Sequence, residues 1–212
     1  MPKVLLTAFE PYDIWQQNAS WLALLEFTKN LPQVPQVVTR RYPVDFNRVY
    51  QQLEKDMQQD FDFALHLGQA PGSANIRLEA VGLNIGGATS QLPDEYRQLD
   101  STGPIAYQSD LPLAHWASRL RFAGIPAAVS YHAGTYLCNA LFYLSLHFAK
   151  TRGFRTRSVF IHLPLAPEQV ATEMKSGGRK EMPTMSPETS AKAIRILLDE
   201  LIQRREAERA IV

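Results

Sequence analysis

The chain has a single cysteine among 212 residues, Cys138, so no disulfide can close within it, and its thiol suits a reducing compartment. Its five histidines, His66, His115, His132, His147 and His162, form no zinc-binding spacing with that cysteine, and the helical pair His-Glu-x-x-His does not occur. No metal site is expected. A Walker-type phosphate loop is also missing, and Gly82-Leu83-Asn84-Ile85-Gly86-Gly87 lacks the spacing and strand-to-helix setting of a dinucleotide site. The expected chemistry therefore needs no cofactor. The serine elbow Gly-x-Ser-x-Gly is absent as well, which disfavours an ordinary serine hydrolase.

Neither sign of charge is in excess. The 22 Lys and Arg stand against 21 Asp and Glu, a formal net charge of +1, which offers no general attraction for nucleic acid or a membrane surface. The basic clusters Arg152, Arg155, Arg157 and Arg204, Arg205, Arg209 read as solvated surface. No apolar run approaches the roughly 18 to 20 residues of a membrane span. The short stretch after Lys3 runs into Glu10-Pro11 without a small-residue cleavage site, so no signal peptide is expected and the expected location is cytoplasmic. With no repeat, low-complexity tract or linker, residues 1–212 are expected to form one domain with a full core.

What is present is an alternation of apolar strands and amphipathic helices. Strands are expected at Lys3–Phe9, Val34–Tyr42, Phe61–Gly68, Pro126–Ser130 and Ser158–Pro164; helices at Ser20–Leu31, Asn47–Gln59, Leu113–Phe122 and Pro167–Met174, with one beginning at Cys138. Ser186-Pro187-Glu188-Thr189 reads as a helix start, with Ser as N-cap and Pro in the first turn. Gly86–Pro112 and Lys175–Pro183 read as loops. The alternation predicts an α/β fold, a single three-layer αβα domain around a largely parallel twisted sheet.

Three residues carry candidate chemistry. Cys138 lies in Ala133-Gly134-Thr135-Tyr136-Leu137-Cys138-Asn139, where a loop enters an apolar helix; a helix N-terminus favours the thiolate that a nucleophile requires. An ordinary core cysteine is the alternative. His162 ends the apolar strand Ser158–Leu163, at the sheet edge where ligands collect in α/β folds, and a core histidine with satisfied ring nitrogens is its alternative. In Asn75–Asn84, strand alternation puts Ile76, Leu78 and Ala80 on one face and Arg77 and Glu79 on the other. Glu79 could orient a histidine; equally, an exposed edge strand could carry it in a surface ion pair.

These segments together resemble the pyroglutamyl peptidase I family, cysteine omega-peptidases that remove N-terminal pyroglutamate. The resemblance is carried by Leu5-Leu6-Thr7-Ala8-Phe9-Glu10-Pro11-Tyr12 with Asn18-Ala19-Ser20-Trp21, by Gly68-Gln69-Ala70 through Glu79 to Asn84, by the Cys138 and His162 segments, by Pro167-Glu168-Gln169 and by Met185–Thr189. It implies a Glu79, Cys138, His162 triad working through an acyl-enzyme, on peptides that begin with pyroglutamate. It also implies that Phe9, Tyr12, Tyr136 and Leu137 wall the lactam ring while Gln69 and Asn18 hydrogen-bond it. Family members are often homo-oligomers; the chain itself does not reveal an assembly.

The chain departs from the family pattern in several places. Asp13-Ile14 stands where two glycines are usual, Ala19 replaces a proline, Ser73 and Ala80 replace arginines, and Ile85–Asp94 lacks the usual arginine and Pro-Asp-Asn turn. A different path for the first loop is therefore expected. Two rivals stay open: a cysteine hydrolase of the same scaffold with altered acyl specificity, and a noncatalytic module that binds pyroglutamyl groups.

Overall fold

A computed structural model describes residues 1–88, 90–175 and 181–210, with side chains as far as Gln203. The strands are β1 (Lys3–Phe9), β2 (Gln36–Tyr42), β3 (Phe63–Gln69), β4 (Ile76–Glu79), β5 (Val81–Leu83), β6 (Ala106–Gln108), β7 (Ala127–Ser130) and β8 (Arg157–Leu163). The helices are α1 (Ala19–Thr28), α2 (Phe46–Met57), α3 (Leu113–Phe122), α4 (Leu137–Thr151), α5 (Pro167–Lys175) and α6 (Pro187–Ala210). Six strands form the central sheet in the order β2-β1-β3-β8-β4-β7. Neighbours pair in parallel except β4, which runs against β8.

Strand alternation sorts the core into two layers. Leu6, Ala8, Leu65, Leu67, Ile161 and Leu163 face α1, α3 and α6, burying Phe27, Trp116, Ile194 and Leu197. On the opposite face Phe9 and Phe160 pack with α2 and α4 through Leu53, Leu137, Leu141 and Phe148. Complete burial of one such side chain contributes about 1.5–3 kcal/mol, so each layer has enough apolar contact to hold its helices. Caps fix three of the helix starts. Asn18 accepts from the Ser20 amide, Asp45 from Arg48 at 2.8 Å and Ser186 from Thr189 at 3.2 Å.

Two sequence expectations need correction. Asn75–Asn84 is not one edge strand. β4 lies between β8 and β7, and after Ala80 the chain leaves the sheet so that β5 can pair with β6 over α4. A Cβ at Gly82 would come within 2.9 Å of the Tyr143 backbone, so the glycine permits this close approach. The stretch Gly86–Pro112 is likewise not a plain loop. It contains a 3₁₀ turn at Pro93–Glu95, a bridge from Gly86 to Arg97 and strand β6, and Asn84 fastens it by donating to the carbonyls of Asp100 and Gly103. Short polar segments paired with a remote strand carry little periodic signal.

Of the connection expected at Lys175–Pro183, residues 176–180 lie outside the described residues, as do the side chains of Arg204, Arg205 and Arg209. Among the described residues no helix is long and apolar enough to cross a membrane, and no group of His, Cys, Asp and Glu could hold a metal ion.

Candidate active site

Strand register brings Glu79 and His162 to one face. Glu79 lies opposite Phe160 on β8, and His162 is two residues further along that strand, hence on the same side. The antiparallel course of β4 makes this a diagonal cross-strand pair, within reach of long side chains. His162 Nδ1 is 2.8 Å from Glu79 Oε1, so the ring N–H donates to the carboxylate. Glu79 has no solvent exposure, which corrects the alternative of an exposed ion pair on an edge strand; Arg77, its neighbour two residues back, is exposed. Arg77 and Glu79 do share one face of β4, and at Glu79 that face is covered by α4.

Cys138 reaches the same face from above. Gly134 takes φ +81° in the approach loop, and α4 begins at Leu137, which puts Cys138 in the first turn, where backbone amides lack intrahelical acceptors. It is half-buried rather than sealed in the core. Below it is Gly68, in register with His162. A Cβ on Gly68 would lie 3.0 Å from Cys138 Sγ and 2.7 Å from the Phe160 ring. Gly68→Ala is therefore expected to push the sulfur away from His162 and lower kcat/KM about 100-fold or more. Slower alkylation of Cys138 by iodoacetamide would accompany the loss; unchanged kinetics and alkylation would refute the expected steric contact.

Burial alone would lower the basicity of His162, yet the hydrogen bonds and charges of Cys138 and Glu79 outweigh it and raise the imidazole pKa to about 9. His66 provides the internal contrast. It is fully buried on β3 with Thr7 Oγ1 2.9 Å from its Nδ1, and burial drives its pKa down to about 3. A core histidine without a charged neighbour stays neutral; one between a thiol and a carboxylate holds its proton.

Beside the pair is a cleft of about 530 Å³. Phe9, Tyr12, Asn18, Gln69, Tyr136 and Leu137 all line it, together with Cys138 and His162. Burial and the adjacent Cys138 push the Tyr12 hydroxyl up to about 12, with the Gln69 amide pulling the other way, so Tyr12 is neutral in the cleft. Asn18 is first of all a structural group. Its Nδ2 donates to the Glu10 carbonyl, and its Oδ1 accepts from both the amide and the hydroxyl of Ser20. Gln69 differs, because its Nε2 is buried and, apart from its pull on the Tyr12 hydroxyl, makes no hydrogen bond of good geometry among the described residues.

Asp13, Val44, Ala88 and Ser90 also line the cleft, and none was among the expected site residues, although Asp13 and the Ile85–Asp94 segment stood out as departures from the family pattern. Asp13 takes φ +53°, so the left-handed turn that the usual glycine would favour is adopted here by an aspartate. Asn139 was also overlooked. Its amide accepts from the Leu83 N–H and donates to the carbonyls of Leu83 and Ile85, at 2.8–2.9 Å, tying the start of α4 to β5. Asn139→Ala would strand these part-buried backbone groups, and a loss of about 1–3 kcal/mol in chemical denaturation is expected. A loss below about 0.5 kcal/mol would mean that the tie does not hold the helix.

The model for pyroglutamyl peptidase matches residues 2–204. The chain belongs to the pyroglutamyl peptidase family. It is 34% identical to a pyrrolidone-carboxylate peptidase of Thermococcus litoralis over 92% of this chain and 91% of that one. A pyrrolidone-carboxylate peptidase of Bacillus cytotoxicus is 32% identical, covering 96% and 94%. Among solved structures, the pyrrolidone carboxyl peptidase of Fervidobacterium islandicum AW-1 superposes with a TM-score of 0.87 at 35% identity, covering 96% of this chain and 99% of that one. Membership of this family makes the chain a hydrolase of the cysteine omega-peptidase type and supports removal of N-terminal pyroglutamate from peptides.

Proposed function

We propose that residues 1–212 act as one catalytic domain that releases pyroglutamate from peptide N-termini through a Cys138, His162, Glu79 triad and an acyl-enzyme. The contact of His162 with Glu79 at 2.8 Å, beside Cys138, carries this reading. Glu79 orients the ring and sustains its positive charge, so that His162 can keep Cys138 as a thiolate. The thiolate attacks the carbonyl that joins pyroglutamate to the next residue. Negative charge develops on that oxygen, within reach of the Cys138 backbone N–H at the start of α4. His162 then donates its proton to the departing amine, breaking the C–N bond. A water deprotonated by His162 attacks the thioester, and its collapse frees pyroglutamate and restores the thiolate.

The cleft suits a small neutral ring. Phe9, Tyr12, Tyr136 and Leu137 offer apolar walls, while the Gln69 amide nitrogen, beside the Tyr12 hydroxyl, offers a donor to the ring carbonyl. Asn18 supports this wall through the first loop and α1. Release of a fluorescent amine from a pyroglutamyl amide, under reducing conditions at neutral pH, tests the proposal. Turnover of that amide and not of the matching prolyl amide is expected. A folded protein that leaves the pyroglutamyl amide intact yet cleaves other small acyl amides would overturn the assigned specificity; one that cleaves none would overturn catalysis.

A further inference from the structure

Two segments distant in sequence, around Gln17 and around Gln69, meet at one buried side chain, Gln169, in the first turn of α5. It is 4% exposed. Its Oε1 accepts the Ala166 N–H at 2.9 Å, and its Nε2 donates to the Gln17 carbonyl and to Gln69 Oε1, each at 2.9 Å. Gln69 Oε1 also accepts the Ala19 N–H at 2.9 Å. Two backbone N–H groups, which can only donate, therefore fix both amides. Ala166 demands an oxygen from Gln169, which turns its nitrogen toward Gln69; Ala19 and Gln169 together demand the oxygen of Gln69. The nitrogen of Gln69 is left on the other side of its amide, buried and making no hydrogen bond of good geometry among the described residues, with the Tyr12 hydroxyl of the cleft near enough to feel it.

We propose that Gln169 is a positioning residue for specificity: it holds the Gln69 amide with its donor toward the cleft, so that the enzyme selects a ring bearing a carbonyl. The proposal rests on the assignment of Gln69 to the ring carbonyl made above. A buried donor short of a well-aligned acceptor is unfavourable, and a carbonyl oxygen on the ring relieves it. A plain pyrrolidine ring would leave it unpaired, and this is the kind of difference by which polar sites reject analogues. Gln169 touches neither the ring nor the reacting atoms; it acts by denying Gln69 the flipped orientation.

The test uses Gln69→Met, Gln169→Met, their combination and Gln169→Glu, assayed on the pyroglutamyl amide with thermal unfolding recorded for each. Gln169→Met is expected to raise KM about tenfold with kcat little changed, and the double variant to be no worse than Gln69→Met alone. Gln169→Glu retains an acceptor for Ala166 but sets a carboxylate oxygen against Gln69 Oε1 and the Gln17 carbonyl, so it is expected to lose at least as much as Gln169→Met. Losses that add in the double variant, or full activity in Gln169→Glu, would overturn the positioning role and leave Gln169 as an anchor for α5. No change in KM with folded Gln69→Met would instead refute the assignment of Gln69 itself.

Discussion

Cys138→Ala is expected to abolish release of amine from a pyroglutamyl amide, with kcat falling by about 10⁴-fold or more. The sulfur supplies the covalent bond on which the proposed route depends, and no other cysteine exists to replace it. Its removal should leave the fold intact, because Cys138 is half-buried and the α4 layer is held by Leu137, Leu141, Phe142 and Phe148. Calorimetry with pyroglutamate should still register binding to the variant, since Phe9, Tyr12, Tyr136 and Leu137 remain to wall the ring. Turnover within tenfold of wild type would remove Cys138 from the mechanism. Loss of binding together with turnover would show that the sulfur shapes the cleft as well.

Glu79→Gln is the second large effect. The amide can still accept from His162 Nδ1 but carries no charge, and kcat is expected to drop by about 10³- to 10⁴-fold. The pH dependence shows the cause. With the His162 pKa raised to about 9, wild-type kcat/KM should hold through neutral pH and fall as the imidazolium loses its proton above about 9. Without the carboxylate, burial acts against a weaker opposing pull, so the alkaline limb moves to lower pH. The sign for stability follows the same shift. A group with a raised pKa stabilises the fold fully below its ordinary value near 6.5, and that contribution fades as pH rises through about 9. The stability difference between wild type and variant should therefore narrow above pH 9. An alkaline limb that stays in place would argue that Glu79 only fills space.

The positions legible from sequence were those with a local signature. The strand Lys3–Phe9 and the helix Leu113–Phe122 match the expected bounds, because alternation and apolar helical spacing act over a few residues. All six residues expected to hold substrate do line the cleft, and that expectation came from resemblance to a family rather than from periodicity. What could not be read were the long-range polar ties. Asn139 holds β5 across 56 residues, and Gln169 holds Gln69 across 100. An amide bonded to distant backbone has no preferred spacing, so it looks in sequence like any polar residue beside an apolar run. The reversal of β4 was hidden for a related reason: alternation identifies which residues share a face but not which way the strand runs.

That reversal has a consequence for how the molecule loses activity. His162 is carried by β8, Glu79 by a strand that β8 and β7 clasp from both sides, and Cys138 by a helix lying across the sheet. The strands that carry His162 and Glu79 are paired on both edges, so their amide hydrogens should exchange only when the whole sheet opens, whereas the first-turn amides beside Cys138 lack intrahelical acceptors and should exchange sooner. The Tyr12–Gln17 turn, with Asp13 and Gln16 exposed and a single bridge from Tyr12 to Trp15, should exchange faster than those strands. Heat should thus blunt recognition of the ring before it disables the nucleophile, and on cooling the chemistry should return as one unit.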